Sequence, residues 1–213
     1  ADIADQRQTR QLASCIRENH GIDCVLHLAG YYDFSQKDNP AYTKTNVLGT
    51  RNILELARQA EARHFIFSSS LAACEFTPPG VTVTESSPLS ADFPYARSKR
   101  QAEEIIAGFA DQIPASLVRL GAVFSDWCEY PPLYSLLETW LSKNPLSRVI
   151  GGRGDFALPY IHIKDVLKIF LRIMERVDSL SGARVYLASP VDSVSHRDIY
   201  DTACRYFYNR PKR

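Results

Sequence analysis

No apolar run in the 213 residues approaches the roughly 20 that a helix needs to cross a bilayer, so a membrane span is not expected. Nothing near the N-terminus has the layout of a signal peptide. An excess of one charge is missing too: 25 Lys and Arg stand against 24 Asp and Glu, with no basic stripe, so no nucleic-acid partner is expected. The five cysteines (Cys15, Cys24, Cys74, Cys128 and Cys204) are scattered, odd in number and form no C-x-x-C pair. They read as the reduced thiols of a cytoplasmic protein, and no metal site is expected. Internal repeats and low-complexity tracts are absent as well.

What is present suits a soluble α/β body. With 45% hydrophobic and 23% charged residues, 213 residues can form one sizeable core, or a core plus a small lobe. The pattern predicts helices over 6–19, 41–60 and 94–110 and strands over 23–28, 64–68 and 115–120. The second helix carries Val47, Leu48, Ile53, Leu54 and Leu56 on an apolar stripe. Strands alternating with helices imply a parallel sheet with helices on its faces. The segment 71–93, rich in Pro, Thr and Ser, reads as a long loop of the kind that shapes a ligand site. Beyond residue 122 the pattern loosens, with helices expected at 132–142, 163–177 and 195–208 and strands near 147–150, 159–162 and 184–188. Gly151-Gly152-Arg153-Gly154 reads as a turn, because no helix pattern follows it. Within it, Arg153-Gly154-Asp155 matches an adhesion tripeptide only by accident.

Tyr95 and Lys99, in Phe93-Pro94-Tyr95-Ala96-Arg97-Ser98-Lys99, carry the chemistry. Residues four apart share one face of a helix, so the ammonium can sit beside the phenol. Pro94 suits a first helical turn, with Asp92 or Ser90 upstream as caps. A phenol with its ordinary pKa near 10 is a poor base at neutral pH. A neighbouring cation and the positive end of a helix dipole are both expected to lower it.

Upstream, Asp23-Cys24-Val25-Leu26-His27-Leu28-Ala29-Gly30 is an apolar strand running into a small-residue turn, and Arg63-His64-Phe65-Ile66-Phe67-Ser68-Ser69-Ser70 is a strand ending in three hydroxyls. Strand, hydroxyl cluster and Tyr-Lys helix in this order resemble the extended short-chain dehydrogenase/reductase superfamily, the NAD-dependent epimerase/dehydratase group. The spacing from Ser70 to Tyr95 matches that group's Ser–Tyr–Lys arrangement. The resemblance covers essentially the whole chain, and it implies a Rossmann-like doubly wound parallel sheet with a small C-terminal α/β substrate lobe.

A dinucleotide fold of this kind opens with a strand and a Gly-rich turn. This chain opens instead with Asp2-Ile3-Ala4-Asp5, which looks like the superfamily's acidic motif beside the adenine ring. The expectation is therefore an N-terminally truncated chain lacking its first strands, the phosphate-binding turn and the residue that selects NAD or NADP. On the residues alone, Asp2 or Asp5 reads equally as a cap of the helix at 6–19. Residues 1–122 then form a partial dinucleotide-binding domain. Residues 123–213 form mainly a substrate-binding lobe, from which one segment returns to the main sheet.

The resemblance implies Ser70, Tyr95 and Lys99 as catalytic, moving a proton and a hydride at a C–OH/C=O centre with NAD or NADP. Ser69 is the alternative to Ser70, since three serines in a row leave the register open. Asp2, Ile3, Leu28, Ala29, Gly30, Asn46, Ser68, Tyr95, Lys99, Gly121, Ala122 and Val123 are implied around the cofactor. Ile161-His162-Ile163-Lys164-Asp165-Val166 resembles a motif of the superfamily's substrate lobes, with Asp165 capping a helix and His162 structural.

After the Arg119 strand the run Gly-Ala-Val-Phe-Ser-Asp-Trp departs from the pattern usual in sugar-nucleotide epimerases. The Tyr95 neighbourhood looks more like hydroxysteroid dehydrogenase and dihydroflavonol reductase members. Tyr31, Tyr32, Phe34, Trp127 and Tyr130 fall in loops and offer an apolar lining. A steroid-like, lipid-like or acyl small-molecule substrate is expected ahead of a nucleotide sugar acted on by an epimerase or dehydratase. A non-catalytic dinucleotide-binding regulatory or scaffold protein is the reading from another class, and retention of both Tyr95 and Lys99 speaks against it. A homodimer remains open as the assembly.

Overall fold

The computed structural model describes residues 1–75, 77 and 81–208. They divide into two compact units, one of Ala1–Leu120 with Ile169–Leu187 and one of Gly121–Lys168 with the chain from Ala188 onward. No helix among the described residues is long and apolar enough to cross a membrane, and no group of three or more His, Cys, Asp or Glu among them could hold a metal ion.

The first unit is built on strands β1 (Cys24–His27), β2 (His64–Ser70) and β3 (Ala115–Leu120), parallel to one another in that order. Register runs from Cys24 opposite His64 and from Phe65 opposite Ala115, so the two serines closing β2 pair with Arg119 and Leu120. β2 is buried along almost its whole length, as a central strand of a parallel sheet must be, which explains its unbroken His-Phe-Ile-Phe run. Helix α1 (Gln6–Glu18) starts at Asp5, whose carboxylate accepts from the amides of Arg7 (2.8 Å) and Gln8 (3.2 Å). Helices α2 (Thr50–Gln59) and α3 (Pro94–Gly108) lay Leu54, Ala57, Ala102 and Ile106 on Phe65, Phe67, Ala115 and Leu117 to make the core.

One expected helix, 41–60, is two kinds of helix. Tyr42–Gly49 winds as a π-helix that runs directly into α2. Its wider turns rotate the apolar stripe out of register, so that Leu48 is 45% exposed while Asn46 is 2% exposed. The expected caps of α3 are absent. Phe93 occupies the cap position with no side-chain hydrogen bond, Asp92 pairs with Arg97, and Ser90 donates to Glu75. Pro94 at the first turn removes one amide that would have needed a cap. The loop expected over 71–93 contains a short 3₁₀ turn, Leu71–Ala73, and its residues 76 and 78–80 lie outside the described residues.

The second unit holds β4 (Ala122–Phe124) parallel to β6 (Tyr160–His162), and β5 (Ala157–Leu158) antiparallel to β8 (Val194–Ser195). Helices α4 (Pro131–Leu141) and α6 (His196–Tyr208) pack around Trp140, Tyr200 and Cys204. The strand expected near 147–150 is instead a 3₁₀ turn, Pro145–Arg148. Asn144 caps that turn by accepting from the Leu146 amide (2.9 Å), and local capping there outweighs the β preference of Val149 and Ile150. Gly151–Gly154 is a turn, with positive φ at Gly152 (61°) and Gly154 (76°). Helix α5 (Ile163–Met174) crosses from the second unit into the first, and β7 (Ala183–Ala188) follows it and lies beside β3 in the main sheet. Asp165 does not cap α5: it sits inside the first turn and pairs with Lys168 at 2.9 Å.

Candidate active site

At the ends of β1 and β2, where a parallel sheet leaves its loops free to shape a site, the first unit gathers Ser68, Ser70, Gly30, Asn46, Tyr95 and Lys99. Tyr95 and Lys99 arrive together because they are one turn apart on α3. The Lys99 ammonium is buried (4% exposed), donates to the Ser68 carbonyl at 2.7 Å and lies 4.7 Å from the centre of the Phe67 ring. It is 5.8 Å from the centre of the Tyr95 ring. A β-carbon at Gly30 would lie 3.6 Å from that nitrogen and 3.4 Å from Asn46 Oδ1, so the backbone there passes close to both groups.

Successive side chains of a strand point to opposite faces, and this divides the three serines. Ser69 shares the face of Phe65 and Phe67 and donates to the Glu103 carboxylate. Ser70 lies near the Tyr95 phenol, where its hydroxyl favours the charged form. Its hydroxyl also accepts from the Ala72 amide at 3.2 Å, which holds the chain as it leaves β2.

The electrostatics differ from the sequence expectation. Burial pushes the Tyr95 phenol up to about 12, the phenols of Tyr32 and Tyr42 add to the rise, and only the nearby Ser70 hydroxyl opposes it. Burial likewise depresses Lys99 to about 8. An ammonium beside the phenol therefore does not lower the phenol's pKa here, because taking both groups out of water disfavours the charged form of each. His27 is held neutral, its pKa lowered to about 4 by burial and by Lys99.

Asn46 organises the polar floor. Its Oδ1 accepts from the Tyr31 amide (2.6 Å), and its Nδ2 donates to the Tyr31 carbonyl (2.9 Å) and to Ser98 Oγ (2.9 Å). Ser98 in turn donates to the Tyr95 carbonyl at 2.7 Å. Thr50 donates to the Asn46 carbonyl (2.6 Å), and its hydroxyl meets His27 Nε2 at 3.0 Å. The roles of His27, Thr50 and Ser98 were not read from the sequence. Only Ser98, three residues after Tyr95 on the same helix face, carried a usable signal.

The aromatic loop following Gly30 is tied to itself. Tyr31 donates to Asp33 (2.6 Å) and accepts from Asn39 (2.8 Å), and the Ser35 amide donates to Asp33 (2.9 Å). It presents Tyr32 4.5 Å from Tyr95, ring centre to ring centre, with Phe34 4.7 Å beyond. Leu28, Ala29 and Gly30 are exposed beside it.

Other expected cofactor residues have local roles. Asp2 accepts from the Ala4 amide (2.9 Å), Asn52 donates to the Ile3 carbonyl (2.8 Å), and Ile3 packs on Gly49, leaving no room for a β-carbon there. Gly121, Ala122 and Val123 belong to the second unit, where β4 pairs with β6. Trp127 and Tyr130 belong to it as well. A β-carbon at Gly121 would come within 2.2 Å of the Pro159 carbonyl, so the requirement for glycine is internal to that unit. There too, His162 meets Asp126 at 3.1 Å and receives the Lys164 amide at 3.2 Å.

Comparison with known proteins shows the family. The model of the NAD dependent epimerase/dehydratase family matches residues 1–188. UDP-glucose 4-epimerase of Lactobacillus helveticus is 26% identical, over 90% of this chain and 64% of its own length. Sterol demethylase protein B of Methylococcus capsulatus is 23% identical, over 82% of this chain and 51% of its own length. This chain thus spans between about half and two thirds of these curated relatives. Among solved structures, UDP-glucose 4-epimerase of Thermus thermophilus in complex with NAD superposes with a TM-score of 0.76. It is 20% identical, covering 96% of this chain and 67% of that one, and shows the shared fold.

Proposed function

The chain belongs to the NAD dependent epimerase/dehydratase family, a family of enzymes, and we propose that it serves hydride and proton transfer at a C–OH/C=O centre through Ser70, Tyr95 and Lys99. The observation that carries this reading is the buried Lys99 ammonium 5.8 Å from the centre of the Tyr95 ring, one turn away on α3, with the Ser70 hydroxyl near the phenol. An ammonium has three donors. Among the described residues the Ser68 carbonyl takes one of them, which leaves donors for the hydroxyls of a ribose at the exposed turn Leu28-Ala29-Gly30. These residues fit the nicotinamide-riboside end of NAD or NADP. When bound, the nicotinamide supplies or accepts the hydride.

With its pKa near 12, Tyr95 carries its proton at neutral pH and is set to give it to a carbonyl oxygen. Ser70 holds that oxygen by a second hydrogen bond and orients it toward the phenol. In the reverse direction a positive charge brought close to the phenol lowers its pKa and lets it take the proton back.

Tyr32 beside Tyr95 and Phe34 beyond it, each 47% exposed, support a substrate with an apolar ring face, steroid-like or lipid-like, next to the reacting carbon. The UDP-glucose 4-epimerase relatives favour a second reading, a nucleotide sugar, whose pyranose also offers a C–H face to an aromatic ring. Turnover of NAD(H) and NADP(H) with a hydroxysteroid, UDP-glucose and dTDP-glucose separates the two. Tyr95→Phe removes the phenolic proton and lowers kcat by about two to four orders of magnitude with little change in cofactor affinity. Turnover of Tyr95→Phe at the parent rate on an identified substrate refutes the assignment.

A further inference from the structure

A buried ion pair lies one helical turn beyond Lys99, and the chemistry above does not use it. Glu103 (6% exposed) receives Arg119 (6% exposed) in a two-pronged contact, Nε to Oε1 at 3.1 Å and Nη2 to Oε2 at 3.0 Å. Arg119 Nη1 donates to the carbonyls of Glu85 (3.1 Å) and Ser87 (3.2 Å), and Ser69 donates to Glu103 Oε1. The pair therefore joins α3, the end of β2, β3 and the loop at 84–87. Burying two charges is costly, and apolar side chains of the same volume often stabilise a protein as well or better. A pair kept under those terms is best explained by the geometry it enforces.

That geometry is the distance between Ser70 and Tyr95, which come from different elements. Ser69 precedes Ser70 on β2, and Glu103 lies on the helix that carries Tyr95 and Lys99. We propose that Glu103 is a positioning residue that locks the end of β2 to α3 through Ser69 and sets a carboxylate charge one helical turn from the Lys99 ammonium. The proposal rests on the reading of Ser70, Tyr95 and Lys99 as the reacting groups.

The groups facing Lys99 come from three elements. From β2 come the Ser68 carbonyl and the Phe67 ring, and from β1 comes His27, neutral through the physiological range. On α3 itself lie the Tyr95 phenol and Glu103, and Glu103 is the group that raises the pKa of Lys99 against the effect of burial. Removing that carboxylate charge leaves desolvation unopposed, so the ammonium gives up its proton at lower pH.

The test follows the Lys99 Cε resonance by ¹³C NMR across pH, assigned by its absence in Lys99→Met, together with kcat and KM on the substrate found above. Glu103→Gln moves the Lys99 titration midpoint to lower pH. It also lowers kcat about ten- to hundredfold with KM nearly unchanged, as a displacement of about an ångström between reacting groups does. Ser69→Ala keeps the midpoint and loses kcat, because it cuts only the link to β2. If Glu103→Gln does not fold with Arg119 left unpaired, the double variant Glu103→Gln/Arg119→Met removes both charges, and its kcat, read beside that of Ser69→Ala, then decides the positioning role. An unchanged Lys99 midpoint, or kcat at the parent level in both the Glu103 and Ser69 variants, overturns the proposal. Should Tyr95→Phe turn over like the parent, the functional reading falls, while the Lys99 midpoint still decides whether Glu103 governs the ammonium.

Discussion

Replacing Lys99 by Met separates the cost of the buried ammonium from its use. Lys99 is 4% exposed and its pKa falls from 10.5 to about 8, mainly through burial. That difference corresponds to about 3 kcal/mol between charging the group in the folded and in the unfolded chain. The sign follows from which state holds the proton. Below pH 8 both states are protonated and the folded chain bears the full cost of the buried charge. Between pH 8 and 10.5 the unfolded chain keeps a proton that the folded chain has released, so folding becomes more favourable as pH rises. Relative to Lys99→Met, the parent should therefore gain about 3 kcal/mol of stability from pH 8 to 10.5. Tyr95, raised from 10 to about 12, acts in the opposite sense above pH 10, but it is present in both proteins and largely cancels in the difference. At neutral pH the variant escapes the charge cost but leaves the Ser68 carbonyl without its donor, a loss of about 1–3 kcal/mol, so the two proteins should be nearly equal there. Urea unfolding of both proteins at several pH values, followed by circular dichroism, measures the difference directly. A difference that stays flat from pH 7.5 to 10.5 refutes the reasoning. In the same samples Lys99→Met should lose nicotinamide binding, read by NADH fluorescence.

Ser70→Ala, measured against Tyr95→Phe, should lower kcat by about one to three orders of magnitude while KM moves little, since one of the two groups on the reacting oxygen is removed. Asn46→Ala strips partners from the Tyr31 backbone and from Ser98, and thermal or chemical unfolding should show a loss on the order of 2–4 kcal/mol. Gly121→Ala forces a β-carbon against the Pro159 carbonyl and should cost about 1–3 kcal/mol. Gly108→Ala, at the end of α3 with nothing within 4 Å, should instead gain up to about 1 kcal/mol, and equal stability of these two glycine variants would contradict the packing described.

The order of strands and helices in the first unit was legible in the sequence because each element announces itself locally. The Phe-Ile-Phe run of β2 is continuous since both of its faces are buried, and Pro94 opens α3 at the only turn that tolerates it. The Tyr95–Lys99 spacing likewise placed two site groups together through helix geometry alone. Short-range capping decided elsewhere against longer-range pattern, as where Asn144-Pro145 made a 3₁₀ turn of the expected strand near 147–150. The π-helix at 42–49 left no trace in residue types, and the partners of its buried Asn46, the Tyr31 backbone and Ser98, lie far along the chain. Which serine meets Tyr95 was undecidable from three identical residues. Their partners distinguish them: Ser69 donates to Glu103, and Ser70, at the strand end, lies near the Tyr95 phenol. The direction of the Tyr95 and Lys99 pKa shifts belongs to tertiary structure for the same reason. Spacing brings two ionisable groups near each other, but only the packing of Phe67, Tyr32 and Tyr42 around them removes the water, and desolvation then outweighs the attraction between their charges.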